Sequence, residues 1–127
     1  MPATTILVFQ ENGHSEIEEW YKRLKPSDAR LKNKSRAMVR LLQGSGYEMP
    51  EKLSEHLGDG VRYLRMKIGR TNPRIWFFFC KERNIACLSH VSFKEGKPDQ
   101  KDIDKTAKRK EMVERDRKKY ARPWSGW

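Results

Sequence analysis

The first forty-five residues alternate between two kinds of apolar pattern. Residues 4–9 (TTILVF) are β-branched and apolar, which predicts a strand. A stripe at helical spacing follows and predicts a helix, with Ile17, Trp20, Tyr21 and Leu24 on one side. Ser15 and Glu18 have the spacing of a capping box, so we expect each side chain to bond the other residue's backbone N–H at the start of this helix.

A second helix is predicted directly after the first. Pro26 ends the first helix, and Ser27 or Asp28 is placed to cap the next one. The apolar positions then continue to about Leu42, before two glycines that favour a helix end. Two short helices joined by a tight turn predict an antiparallel helical hairpin.

Three further strands are predicted in the second half. Residues 61–68 alternate between apolar and polar, and residues 74–80 (RIWFFFC) are apolar on both faces after the first position, as in a central strand. Residues 85–94 complete the set. Simple alternation predicts that one face of this last strand carries Ala86, Leu88, His90, Ser92 and Lys94.

The predicted element order is β-α-α-β-β-β-α, which indicates an α+β fold. Short turns join the three later strands, so we expect a small, mostly antiparallel four-stranded sheet covered by the N-terminal helical hairpin in two layers. A last helix begins near Asp99, which is placed to cap it. We assign residues 1–118 to one domain and residues 119–127 to a C-terminal tail.

The charge distribution adds a functional indication. The chain of 127 residues has a net charge of +11, and residues 61–127 hold 19 basic against 8 acidic side chains, whereas residues 1–60 are balanced at 9 and 9. Such asymmetry favours a polyanionic partner. Nucleic acid is the first candidate, and an anionic membrane surface is the second. The longest apolar run, 75–80, is far too short to span a membrane, and no signal peptide is recognisable, so we expect a cytoplasmic protein.

No resident metal or cofactor is expected. The two cysteines, Cys80 and Cys87, are too few for a disulfide framework or a zinc site, and they fit a reducing compartment. His14, His56 and His90 are isolated from one another and lack metal-ligand spacing.

Four cations on neighbouring strands are candidates for phosphate binding. Arg65 and Lys67 lie two residues apart and point the same way, while Arg74 opens the next strand and Lys94 ends the one after it. Arginine offers a bidentate fork and lysine a point charge to phosphate oxygens. The rings of Tyr63 and Trp76, on the same faces, could stack against an unpaired base. An ordinary solvated strand face explains this spacing about equally well.

Four segments occur in an order that resembles a known family. They are LGDGVRYLR (57–65), PRIWFF (73–78), LSHVSFKE (88–95) and PDQKDIDKTAKR (98–109). Together they resemble the RelE/HigB superfamily of toxins from bacterial toxin–antitoxin systems, nearest its phage-associated HigB-like branch. The resemblance covers roughly residues 4–117, and the family fold has the same β-α-α-β-β-β-α order.

This resemblance implies a ribosome-dependent mRNA endonuclease in which the RNA's own 2′-OH attacks the adjacent phosphate, without a metal. By position, Arg74 would stabilise charge on the phosphorane, Arg65 would hold a phosphate, and Lys67 or Lys94 would act as base or acid. Further expected RNA contacts are Tyr63, Trp76, His90, Phe93, Lys97, Lys105, Lys108 and Arg109. For His90, a structural role is the favoured alternative. Glu95 departs from the family pattern, because it stands where a second lysine is usual.

The resemblance also implies partners. They are the ribosome, its bound mRNA and a cognate antitoxin, which in this branch is usually a helix-turn-helix protein, and no membrane is implied. Two alternatives stay open at this point. One is a ParE-like gyrase inhibitor on the same fold, against which the converging cations argue. The other is a non-catalytic nucleic-acid-binding module.

Overall fold

A six-stranded sheet organises the molecule in this computed structural model, which describes residues 3–93 and 96–127. Two short 3-10 turns, Pro26–Asp28 and Gly46–Glu48, flank the longest helix. The strands and α-helices in chain order are β1 (Thr5–Phe9), α1 (Glu16–Lys22), α2 (Ala29–Ser45), β2 (Ser54–His56), β3 (Val61–Arg65), β4 (Arg74–Phe79), β5 (Ile85–Ser92), α3 (Gln100–Arg115), α4 (Arg117–Tyr120) and β6 (Ala121–Pro123).

The strand order in the sheet is β2-β3-β4-β5-β1-β6. β1 pairs with β5 in parallel, and every other pair is antiparallel. The α+β class is therefore confirmed, but four strands were too few. β2 and β6 have only three residues each and lie at the two edges, so neither carries a readable alternation. Pro123 also argues against a strand by composition, yet proline is tolerated at a sheet edge.

Helices cover both faces of the sheet, so the structure has three layers rather than the predicted two. α1 and α2 pack on one face over the largest apolar core. α3 packs on the other face through a sparse apolar stripe formed by Ile103, Ala107 and Val113. Asp99 caps α3 as predicted, accepting from the backbone N–H of Lys101 at 3.0 Å. No helix among the described residues is both long and apolar enough to cross a bilayer.

A β-bulge in β5 changes which residues share a face. Trp76 of β4 pairs with His90, but the next residue of β4 pairs with Leu88, so Ser89 is an extra residue in β5. Leu88 and Ala86 consequently join the core beneath α1 and α2, whereas His90 bonds to α3 on the opposite side. The prediction of one unbroken face through these residues is wrong because simple alternation stops at the bulge.

Residues 119–127, predicted as a tail, are packed into the fold through β6 and a buried carboxylate. Glu18, 3% exposed, accepts hydrogen bonds from the Ser125 N–H and hydroxyl at 2.9 and 2.8 Å and from the Trp127 indole N–H at 2.7 Å. These bonds occupy the Glu18 side chain, so only one of the two hydrogen bonds of the predicted capping box forms. Ser15 accepts from the Glu18 N–H at 3.4 Å, while the Glu18 side chain bonds the C-terminal residues instead.

Candidate active site

A cleft of about 760 Å³ opens where β3 ends and β4 begins. Its walls come from α2, from the segment 52–55, from both strands and from the loop before α3. Six cations line it: Lys34, Lys52, Arg65, Lys67, Arg74 and Lys97. Among the described lining residues, Glu55 is the only carboxylate. This excess of positive charge in a concave surface suits a phosphate-bearing ligand.

Arg65 and Arg74 lie directly opposite each other in the β3–β4 register. Both point to the same side of the sheet as Tyr63, because residues two apart on a strand share a face. The guanidinium carbons of Arg65 and Arg74 lie 5.8 and 5.0 Å from the centre of the Tyr63 ring. Both arginine side chains therefore stack on the buried ring of Tyr63. Their proximity agrees with the predicted pairing of the two strands.

Glu55 is held beside these arginines by two hydrogen bonds. Its carboxylate accepts from the Tyr63 hydroxyl and from the Arg65 guanidinium. These bonds, that from Tyr63 first and that from Arg65 second, lower the pKa of Glu55 below its usual 4.5. Burial and then the bond to Glu55 raise the pKa of Tyr63 above 10. At neutral pH the cleft thus holds an ionised carboxylate and a protonated phenol.

Arg74 is the most enclosed cation of the cleft, with 9% of its surface exposed. Its guanidinium donates to the backbone carbonyl of Gly96, in the loop between β5 and α3. That loop also supplies Lys97 to the cleft wall. Lys94, the fourth predicted catalytic cation, lies outside the described residues. Of the predicted catalytic set, the structure brings together Arg65, Lys67 and Arg74.

Three cleft residues were missed by the sequence reasoning. Glu55 and Lys52 lie in a polar stretch that has no strong period, so neither was assigned to an element that faces a site. Lys34 lies on α2, and its place in the cleft depends on how that helix packs on the sheet. The signal that could have found Glu55 is its pairing opposite Tyr63 on a short edge strand.

Trp76 and His90, both predicted RNA contacts, are packed inside the protein. Their rings are nearly parallel, with centroids 5.9 Å apart, and each residue is at most 2% exposed. The Trp76 indole N–H donates to the Ser92 hydroxyl at 2.8 Å, and its ring lies 5.1 Å from that of Tyr63. In this arrangement neither ring offers a face to a base. Instead, Trp76 packs against Tyr63, and His90 packs against Trp76.

His90 is bonded on both ring nitrogens. Nε2 lies 2.8 Å from Asp102 of α3, and Nδ1 lies 2.8 Å from the Ser89 hydroxyl. Burial disfavours the imidazolium and lowers the pKa of His90 to about 4, because the hydrogen bond to Asp102 offsets the burial only in part. A neutral ring that donates to Asp102 and accepts from Ser89 satisfies both contacts, which is the structural role that the sequence favoured.

The remaining predicted contacts lie away from the cleft. Arg109 and Lys105 both pair with Glu16 of α1, at 2.8 and 2.7 Å. Lys108 is exposed on α3. Phe93 is 46% exposed, and its nearest aromatic neighbour is Trp20 of α1, with centroids 6.2 Å apart. The two cations on Glu16 have structural partners, whereas Lys108 and Phe93 remain accessible.

No cluster of three or more histidine, cysteine, aspartate or glutamate side chains that could hold a metal ion occurs within residues 3–93 and 96–127. Among the described residues that line the cleft, the groups available for chemistry are one carboxylate, one phenol and six cations. Such a set can bind an anionic phosphate, stabilise added negative charge and exchange protons.

Comparison with known proteins gives one match. The family model described as Phage derived protein Gp49-like (DUF891) matches residues 22–111, which is more than two thirds of the chain. No curated protein matches the chain. The matched region contains every described residue that lines the cleft, from Lys34 to Pro98.

Proposed function

We propose a function from one premise: the chain belongs to the phage-derived Gp49-like family, a RelE/HigB-like family of toxins from toxin–antitoxin systems. Membership of such a family implies a cognate antitoxin as partner. Our proposal is that the cleft cleaves RNA, and that its target is message bound to the ribosome. The cleft, with six cations among its described lining residues, is a surface that can hold an RNA backbone.

The proposed reaction is an internal transesterification. The 2′-oxygen of one nucleotide attacks the adjacent phosphorus, so an O2′–P bond forms and the P–O5′ bond breaks. The products are a 2′,3′-cyclic phosphate and a 5′-hydroxyl end. Arg74 stabilises the charge that builds on the non-bridging oxygens, and Arg65 holds the phosphate through its planar fork.

Two proton transfers complete the reaction. In our assignment the Glu55 carboxylate accepts the proton of the 2′-OH, and the Lys67 ammonium donates a proton to the leaving 5′-oxygen. Glu55 is ionised at neutral pH and is fixed by Tyr63 and Arg65. Lys67 follows Arg65 by two residues and lines the same cleft. Glu55 is assigned as the base in place of the predicted lysine because its ionised carboxylate is fixed beside the two arginines.

One observation carries this proposal over simple binding. Arg65 and Arg74 meet above Tyr63 beside an ionised carboxylate that is held by two hydrogen bonds. In a site that only bound RNA, a fixed negative charge would repel the phosphate backbone and could help only by orienting Arg65. A catalytic site needs a proton acceptor at this place, which accounts for Glu55.

The test is a cell-free bacterial translation reaction with the purified protein, in which the 5′ ends of the message are mapped by primer extension. We expect discrete cuts that need ribosomes and that fall roughly 100-fold or more with Arg74→Ala, because an electrostatic stabiliser of the transition state is lost. Arg74→Lys should retain part of the rate. Arg23→Ala, at an exposed cation outside the cleft, should cut as the unaltered protein does.

The other outcomes are equally informative. Intact message with undisturbed translation would exclude mRNA cleavage and direct the next assay to gyrase. Binding to RNA without any cutting would indicate a non-catalytic module. Equal cutting of naked RNA would leave the nuclease in place and remove the ribosome from the proposal.

A further inference from the structure

A second group of cations lies at the other end of the β3–β4 pair. Arg62 of β3 and Arg83, in the turn between β4 and β5, both stack on Tyr47. Their guanidinium carbons lie 4.6 and 5.1 Å from the centre of that ring. Tyr47 is 45% exposed, so the group is at the surface. We call these three residues the arginine clasp.

The arginine clasp is held in place by packing. Tyr47 comes from the 3-10 turn after α2, so three separate parts of the chain meet here. The Tyr47 ring lies 4.6 Å from that of Phe79, and the Arg62 guanidinium lies 5.3 Å from the Phe79 ring. Stacking of a guanidinium on an aromatic face fixes its plane while its N–H groups stay available at the edge.

The two arginines of the clasp have no ion-pair partner among the described residues, although Glu48 lines a neighbouring depression with Tyr47 and Arg83, and Lys110 pairs with Glu114. A depression of about 290 Å³ beside it is also lined by Lys81 and Lys110, and no carboxylate is among its described lining residues. Neither Arg62 nor Arg83 forms an ion pair with any residue of 3–93 or 96–127. Glu82, the one acid in the adjoining turn, is engaged by Arg117 through two hydrogen bonds of 2.8 Å.

A purely structural role explains this arrangement poorly. Cation–π stacking at an exposed site stabilises a fold only weakly, and two like charges on one ring repel each other. Glu82, in the adjoining turn, could reduce that repulsion, but its carboxylate bonds to Arg117 instead. The positive field is also felt by His56, whose pKa is lowered by burial and by the charge of Arg62. Planar guanidiniums that lie together and form no ion pair with the described residues suit an external phosphate.

We propose that the arginine clasp is a second binding site for the phosphodiester backbone of RNA, separate from the cleft. The edge strand β2 connects the two sites, because Glu55 lines the cleft and His56 lines the depression at the clasp. Arg62 and Arg65 are about 10 Å apart along β3 and point to opposite faces of the sheet, so the path between the two sites passes around the β2 edge. An RNA strand that follows this edge can contact both sites. The identification of the anion as RNA rests on the proposed function, whereas the phosphate chemistry does not.

The test measures how binding depends on salt. A fluorescent 2′-O-methyl RNA of twenty nucleotides, which lacks the attacking hydroxyl, is titrated by anisotropy at a series of salt concentrations. With Arg62→Gln/Arg83→Gln we expect the slope of log K against log salt to fall by about 1.4, because each phosphate contact of a single strand contributes about 0.7. The matched control Arg23→Gln/Arg115→Gln removes two exposed arginines outside both sites and should leave the slope unchanged.

Two further variants test whether a lower slope comes from misfolding of the double variant. Arg83→Gln alone changes an exposed turn residue and should lower the slope by about 0.7. Arg62→Lys/Arg83→Lys keeps both charges, so it should keep most of the slope while weakening binding through loss of the planar fork. Equal slopes for the clasp pair, the control pair and the unaltered protein would overturn the proposal, as would equal reductions in both pairs.

Oligonucleotide length identifies the source of the phosphate. If one strand spans both sites, the effect of the clasp variants disappears with the shortest RNAs, dinucleotides whose single bridging phosphate can occupy only one site. If the clasp holds a separate RNA, the effect persists with the short RNAs and two molecules bind per protein. The outcome is independent of catalysis. If the message stays uncut but the clasp variants lower the salt slope, the proposed nuclease activity is wrong and the clasp proposal stands. If the message is cut but the clasp variants leave the slope unchanged, the clasp proposal is wrong and the nuclease stands.

Discussion

The cleft, on β2, β3 and β4, and the network around His90, on β5, α1 and α3, both combine carboxylates with cations, yet they differ in how charge is balanced. The network consists of Glu16, Ser89, His90, Asp102 and Arg109, in which each polar group has a partner at 2.8 to 3.2 Å. In the cleft, six cations face one carboxylate among the described lining residues. Matched charges tie α1, α3 and β5 together, whereas an excess of one sign is left for a ligand.

Burial alone does not separate the two regions. The side chain of Arg109 is 15% exposed, and Arg74 in the cleft is 9% exposed, so both arginines are largely enclosed. Arg109 donates to the Glu16 carboxylate and to Ser89, and it covers the Phe9 ring at 4.5 Å. A helix rich in lysine and arginine can therefore be structural on its inner side.

Glu55→Gln should give the largest effect, because it removes the proposed proton acceptor and keeps the shape of the side chain. We expect the rate of RNA cleavage to fall by roughly 10²- to 10⁴-fold. Affinity for RNA should stay equal or rise, since one negative charge leaves the cleft. Single-turnover cleavage and anisotropy measure the two quantities separately. A parallel loss of rate and affinity would mean that Glu55 only orients Arg65.

The pH dependence of stability should distinguish the network. The pKa of His90 is about 4 in the folded protein and about 6.5 when unfolded, so between these values the unfolded chain binds more protons. Stability should be full above pH 6.5 and should decrease as the pH falls towards 4, by up to about 3 kcal/mol. The groups that face His90 are Asp102, Lys105 and Glu16.

Chemical denaturation of the unaltered protein and of His90→Gln across this pH range measures the effect. The difference between the two curves isolates His90 from carboxylates that also titrate in acid. His14→Gln, at an exposed histidine, is the matched control and should follow the unaltered protein. A pH-independent difference between His90→Gln and the unaltered protein would contradict the prediction.

Arg109→Ala should reduce stability by about 2 kcal/mol, because it leaves Glu16 with one cation and the Ser89 carbonyl without its donor. The folded variant should cleave RNA at the normal rate. Thermal melting and single-turnover cleavage at a temperature below the transition test both statements. Lys108→Ala, one residue away and exposed, should change neither. A loss of rate without loss of stability would place Arg109 with the cleft cations.

Glu18→Ala should have the smallest effect, about 1 to 2 kcal/mol, through loss of three hydrogen bonds to Ser125 and Trp127. The Glu18 carboxylate is buried and forms no ion pair among the described residues, so we expect it to fix the C-terminal residues and to take no part in catalysis. Limited proteolysis should then cut near residue 124 more readily, with cleavage of RNA unchanged. Glu19→Ala, at an exposed position of the same helix, should leave the cutting pattern as it was.

The sequence was informative where local spacing decides the structure. β1, β3, β4 and β5 and the helices α1 and α2 follow from apolar patterns, α3 from its Asp99 cap, and the meeting of Arg65 with Arg74 from two adjacent strands. Features that depend on how elements pack were not readable. Glu55 required the pairing of a three-residue edge strand, and Lys34 required the docking of α2. The burial of Trp76 depends on α3, whose apolar positions are sparse among its charges.

The bulge at Ser89 has a consequence for insertions and deletions. β5 contains one residue more than its partner needs, and the residues on either side of it already face opposite sides of the sheet. Removal of Ser89 would leave Leu88 under α1 and α2 and His90 under α3, since neighbours in a regular strand alternate. The spacing of the strand therefore does not require this residue. Its contribution is chemical, through a hydroxyl and a carbonyl that join Arg109 to His90.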